Sequence, residues 1–354
     1  PGSPRRREAV RTTSVIEDEW RRIIALGLHE QGKRQNGRRR LVADFSAGGG
    51  IHESHCHAIQ RLCSQPAHNF VFLTTVPADT APTPLQPLPP LSLLWRDDHM
   101  VAVYKPAGWL VHRTGLDAGE TRFVMQALRN QLGQHVYPVH RLDKGTCGVL
   151  VMGLHSDAAR ELAQAFQRHD VHKDYLAMVR GWAPWQSDVD HALRPDDAPP
   201  DAPVQDARTH LRCIARLELP LSSDPRFEHT RASLVHATPL TGRRHQIRRH
   251  LKHIAHPILG DATHGKGPLN RWWAAQLGLQ RLWLHAWKLS VPHPVTGERL
   301  HLHSGLSLEA NAEPNSAIAD LRDWHDRVLG MPWVHADDAV HTTPGSGPEL
   351  SAQT

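Results

Sequence analysis

The chain has 354 residues, enough for one large domain with extensions or for two modest ones. Apolar residues make up 40% of it without any run long enough to cross a bilayer, and Cys56, Cys63, Cys147 and Cys213 are scattered with no CxxC pair; a membrane-spanning class and a disulfide scaffold are excluded. A formal charge of +5 and 28 histidines suit a polyanionic partner, but where the charge lies matters more than its sum. The sequence opens on Pro1 and its first residues have no signal-peptide core, so the cytoplasm is the expected compartment.

Residues 1–76 read as a weakly patterned, basic N-terminal extension, expected to be flexible. Ile16, Trp20, Ile23, Ile24 and Leu28 have helical spacing, while arginine runs at Arg5–Arg7 and Arg38–Arg40 flank them. His52, His55, Cys56, His57, Cys63 and His68 invite a zinc reading, but their spacing fits no common closed site. Residues 77–90, with prolines at 82, 84, 87, 89 and 90, read as an extended linker. A catalytic domain is placed at 91–310 and a polar tail at 311–354, with a helix expected over Ile318–Leu329.

Within 91–310, Leu91–Trp95 and Met100–Tyr104 are predicted strands joined by a polar turn at Arg96–Asp98. Val124, Ala127, Leu128 and Leu132 predict a helix stopped by Gly133, and Val149–Met152 a buried strand. Ser156 is read as the cap of a helix carrying Ala159, Leu162, Ala163 and Phe166. Tyr175–Val179 follows as a strand, and Trp185–Pro203, rich in Asp and Pro, as a loop. Thr209–Leu217, Ser233–Ala237, Trp283–Val291 and Leu300–His303 complete the strands. Paired strands with interspersed helices and no βαβ repeat imply an α+β fold, a mixed and mostly antiparallel sheet with flanking helices and loops.

Two segments carry chemistry. His140-Arg141-Leu142-Asp143-Lys144-Gly145-Thr146-Cys147-Gly148 puts a carboxylate, two cations and a small-residue turn before a buried strand. Taken alone, Arg-x-Asp is more often a structural ion pair than a catalytic unit. Thr241 to His253 contains no acidic residue; Ile247, Leu251 and Ile254 form a narrow apolar stripe and the arginines occupy the remaining faces. A helix with a solvated face usually alternates charge signs, so this one is suited to holding phosphates.

Together with Lys105-Pro106-Ala107-Gly108, Lys173-Asp174-Tyr175 and His256-Pro257-Ile258-Leu259-Gly260-Asp261, these segments resemble the HRLD-motif family of RNA pseudouridine synthases, over roughly Leu91 to Ser304. The resemblance implies isomerisation of a uridine in RNA, with no metal or other cofactor, Asp143 as nucleophile, Arg248 as its partner and Tyr175 against the target base. It further implies that Arg141 fills the space left by a flipped uridine, and that Arg243, Arg244, Arg249 and Lys252 bind RNA. Gly108–Arg113, Gln134–Val136 and Gly278–Arg281 are most similar to the members acting on uridine 65 of tRNA. That makes tRNA the expected partner, with no membrane and no obligate protein partner. Ribosomal RNA as substrate and a non-catalytic RNA-binding role are the alternatives. Asp261 is read as structural, and Trp272, Trp273, Trp283 and Trp287 as packing residues. Cys147 stands where the family usually has Ser, which suggests a thiol-sensitive site.

Overall fold

A computed structural model describes residues 28–30, 39–43, 70–73 and 88–336, apart from 114–118, 197, 200, 310 and 311. The chain divides into two compact units, Pro1–Gln86 and Pro87–Thr354. In the first, β1 (Leu28–Glu30), β2 (Arg39–Ala43) and β3 (Phe70–Leu73) form a sheet in that order, antiparallel then parallel. The helix expected over Ile16–Leu28 lies outside the described residues except for Leu28, which opens β1; the His52–His68 cluster also lies outside them.

The second unit is an α+β domain built on one eleven-stranded sheet. Its strands are β4 (Leu93–Arg96), β5 (Met100–Lys105), β6 (Tyr137–Pro138), β7 (Cys147–Gly153), β8 (His172–Arg180), β9 (Gln186–Asp190), β10 (Arg208–Leu219), β11 (Thr230–Pro239), β12 (Leu284–Pro292), β13 (Arg299–His303) and β14 (Val334–His335). The main path runs β14-β10-β11-β8-β12-β7-β5-β4, with β13, β6 and β9 pairing to β12, β7 and β10. Only the β7–β12 pairing is parallel in this sheet, so it is mixed and mostly antiparallel.

The helices are α1 (Val124–Leu132), α2 (Ser156–Gln167), α3 (Gln246–His253), α4 (Gly267–Leu277) and α5 (Ala319–Asp323), the last continuing as a π-helix over Trp324–Leu329. β7 and, up to Lys105, β5 are apolar because both of their faces are covered. Val101, Val103, Leu150 and Met152 pack with α1 residues Val124 and Leu128. Met100, Ala102, Val149 and Val151 pack with Leu162 and Ala165 of α2. α3 buries Ile247 and Leu251 with Ala177, Val179, Leu211 and Val235 of the sheet. Trp273, Trp283 and Trp324 fill a further cluster with Leu176 and Met178, in which Trp272 and Trp287 are partly buried.

Three local expectations need correction. α2 is capped by His155, whose Nδ1 accepts from the Ala158 N–H at 3.3 Å, with Ser156 as the first helical residue. The segment 185–203 is not all loop, because Gln186–Asp190 pairs with β10. Only Val189 of β9 is buried, so the strand carries little apolar alternation. The helix α4 was not anticipated, although Pro268 at its start and left-handed Gly278 at its end are ordinary helix punctuation.

Gly148 is where β7 meets β12. Its φ is +114°, and a Cβ there would lie 2.1 Å from the Ala286 carbonyl oxygen. Gly148→Ala combines left-handed strain with a backbone clash, so urea denaturation should show a loss of at least about 2–3 kcal/mol. An unchanged midpoint would contradict this reading of the β7–β12 junction.

Candidate active site

The turn before β7 is held from several sides. His140 stacks on Phe166 at 4.4 Å and accepts at Nε2 from the Val151 N–H, while burial pulls its pKa down to about 3. It is therefore a neutral anchor. Leu142 is buried beside α1. Buried Lys105 donates to the carbonyls of Pro106, Lys144 and Thr146 at 3.1, 3.2 and 2.6 Å, and the Gly108 N–H reaches the Lys144 carbonyl at 2.8 Å. Burial lowers the Lys105 pKa to about 7, partly countered by the charges of Asp320 and Asp143. The backbone on both sides of Asp143 is thus fixed from beneath.

The start of α3 is shaped by Gln246 and His245. The Gln246 carbonyl oxygen accepts from the Thr241 hydroxyl and the Arg243 N–H, and its amide donates to the Arg208 carbonyl and the Thr209 hydroxyl. His245 takes left-handed φ (55°) at the N-cap. Three residues later, Arg248 projects from the first turn between two carboxylates.

Asp261 receives Arg248 Nε at 2.7 Å and Nη2 at 2.8 Å, a bidentate pair, while Arg248 Nη1 donates to Asp143 Oδ2 at 3.0 Å. Asp261 also accepts from the N–H groups of Thr263 and His264, both at 2.9 Å. Burial works against the Arg248 charge, but Asp261 and then Asp143 outweigh it and hold its pKa above the usual arginine value. Burial likewise raises Asp261, yet Arg248 and the two N–H groups bring it below the usual carboxylate range. Asp261 therefore fixes the guanidinium plane and leaves Nη1 for Asp143. His245 Nε2 lies 3.8 Å from the same Asp143 oxygen. Both of these contacts fall on Oδ2.

Tyr175, on β8, joins Asp143 and Arg248 in lining a cavity of about 660 Å³. Burial and then the Asp143 charge push its hydroxyl pKa up, so the phenol stays protonated and can donate but not act as a phenolate. A second cavity of about 650 Å³ shares Arg141, Leu142, Asp143, Arg244, His245 and Arg248 with the first, placing Asp143 between them. Lys173 also lines the first cavity; burial lowers its pKa to about 8, and it donates to the Thr241 carbonyl at 3.1 Å.

Of the residues assigned to RNA, Arg141, Arg243 and Arg244 line the first cavity. Arg243 Nε is engaged by the Asp206 carbonyl at 3.0 Å. Arg249 and Lys252 line neither cavity; Arg249 bonds to the 191–196 loop and Lys252 is exposed. Asp261 has the structural role expected of it, holding the Arg248 plane, while His245, Lys105 and Asp196 have no role assigned from the sequence. For His245 and Lys105 the signal is their place inside the motifs; Asp196 lies in the Asp- and Pro-rich segment and has none.

Cys147 corrects the expectation of a thiol-sensitive site. It is fully buried, Arg281 Nη2 lies 2.9 Å and His285 Nδ1 3.2 Å from its sulfur, and burial pushes its pKa up. A buried, protonated thiol is inert. Among the described residues, Asp196, His245 and His264 are the one group with ligand atoms close enough to share a metal ion. No helix among these residues is long and apolar enough to cross a membrane.

Residues 99–253 match the family model described as RNA pseudouridylate synthase. A tRNA pseudouridine synthase C of Yersinia pestis is 49% identical over 219 residues, 60% of this chain and 85% of that one. One from Vibrio cholerae is 45% identical over 223 residues, 61% of this chain and 91% of the relative. The solved structure of human RNA pseudouridylate synthase domain containing 1 aligns over 60% of this chain and 82% of its own, at 25% identity and a TM-score of 0.48.

Proposed function

Because the chain belongs to the RNA pseudouridylate synthase family, we propose that it isomerises a uridine of tRNA to pseudouridine, with Asp143 as the nucleophile and uridine 65 as the position modified. The observation that carries this reading is the convergence of Asp143, Tyr175 and Arg248, from three distant segments, on one cavity walled by arginines.

The reaction breaks the N1–C1′ bond, turns the freed base and forms C5–C1′; the C5 hydrogen leaves as a proton and N1 gains one. The sugar becomes electron-poor when N1 departs. An aspartate against C1′ stabilises it as a covalent nucleophile or by charge, or accepts a sugar proton on a glycal route. Arg248 orients that carboxylate through its Nη1. Tyr175 offers the base a flat face and a hydroxyl that donates. Arg141 sits between the cavities, where it can take the place of a uridine drawn from its stack, a step costing a few kcal/mol.

The names of the relatives support tRNA over ribosomal RNA. Support for uridine 65 comes from Gly108-Trp109-Leu110-Val111-His112-Arg113 and Gly278-Leu279-Gln280-Arg281. Pseudouridine mapping of total RNA from cells with and without the gene tests both points. The expected result is one tRNA position lost, at uridine 65, with ribosomal positions intact. Loss of a ribosomal position alone would overturn the tRNA assignment.

A further inference from the structure

The segment following β9 lies along one stripe of α3. The His191 ring stacks on His253 at 3.9 Å, and the Arg194 carbonyl accepts from Arg249 Nη1 at 2.6 Å. Asp196 Oδ1 is 3.2 Å from Arg249 Nη1, and its Oδ2 is 2.8 Å from His245 Nδ1 and 3.7 Å from Arg244 Nε. His245, Arg249 and His253 are four residues apart, so they share a helix face. Arg244, Arg249 and His245, whose pKa burial lowers, thus converge on one carboxylate around the first turn of α3, at the helix end whose dipole favours an anion.

We propose that Asp196 occupies a phosphodiester site, and that a backbone phosphate of the RNA displaces it on binding; this rests on the reading of the protein as an RNA-modifying enzyme. His245 links that site to the chemistry, its Nδ1 2.8 Å from Asp196 Oδ2 and its Nε2 3.8 Å from Asp143 Oδ2. Arg244 and His245 also line both cavities. A nucleotide whose sugar meets Asp143 therefore has phosphate within reach of the group that Asp196 holds. The Asp196 side chain remains 24% exposed, on a loop segment open to water, so it can leave without disturbing the core.

A cation fits this place less well. Asp196, His245 and His264 offer three ligand atoms, but Arg249 and Arg244 share the same carboxylate, and their charges repel a metal while attracting phosphate. As an internal competitor, Asp196 weakens binding of any polyanion, so only an RNA making further contacts displaces it at low cost.

The test is filter binding of the full chain with oligouridylate and with tRNA. Asp196→Asn is expected to lower the dissociation constant for oligouridylate on the order of tenfold, the scale of one charge-assisted hydrogen bond. Asp196→Glu should bind as the parent does, and Arg249→Ala should abolish the gain from Asp196→Asn. If Asp196→Asn binds no more tightly than the parent, or more weakly, the carboxylate merely anchors the loop and the proposal is overturned. These affinities are read without turnover. A parent chain that makes no pseudouridine would sink the functional reading alone, and an unchanged affinity would sink this inference alone.

Discussion

An Asp143→Asn variant should fold, bind tRNA and form pseudouridine at least about a thousandfold more slowly than the parent. The amide has the carboxylate's shape, and its oxygen can still accept from Arg248 Nη1, which now sits 3.0 Å from Asp143 Oδ2. Arg248 keeps its bidentate pair with Asp261, so its charge stays compensated. The lost element is the negative charge against C1′. An amide neither adds to an electron-poor sugar nor stabilises it. Single-turnover assays with enzyme in excess separate this from altered affinity, and a rate within tenfold of the parent would assign the chemistry to another group.

Asp261→Ala should have the largest effect on stability, about 3–5 kcal/mol in chemical denaturation, because it removes one partner of a buried ion pair. Arg248 is 8% exposed and Asp261 1% exposed, and the carboxylate also holds the N–H groups of Thr263 and His264. Activity should fall as well, since Arg248 would no longer be held in plane against Asp143. The Asp261 pKa is depressed in the folded state, so its contribution is present above the unfolded carboxylate value of 3.8 and is lost as pH falls through the folded value. Parent and variant should therefore converge in stability on strong acidification. A constant gap between their stability curves down to pH 2 would place the effect in packing.

What the sequence disclosed depended on how local each determinant is. β5 and β7 were readable because strands buried on both faces are continuously apolar, and α1 because Gly133 stops it where the periodicity ends. β9 was hidden because a strand with one buried residue has the composition of a loop. α4 was hidden because its tryptophans are adjacent and one of its three buried positions, Asn270, is polar. At the site, Asp143, Tyr175 and Arg248 were legible as motif positions, although Arg141-Leu142-Asp143 by itself favoured a structural ion pair. The division of Arg248 between Asp143 and Asp261 was not legible, since it is set by the geometry of a guanidinium reaching across 105 residues of sequence to one partner and 13 to the other. The basic helix looked uncompensated because no acid lies within it; Asp143, Asp196 and Asp261 all reach it from other segments.

The central claim is that this chain turns one uridine of tRNA into pseudouridine through Asp143. Joining C5 to the sugar expels the hydrogen at C5, so tRNA carrying tritium at C5 of its uridines reports each turnover as label released to water. The parent enzyme is expected to release close to one equivalent per molecule of substrate tRNA, the Asp143→Asn variant essentially none, and ribosomal RNA none with either protein. Absence of release by the parent from any tRNA, or equal release by parent and variant, would contradict the account.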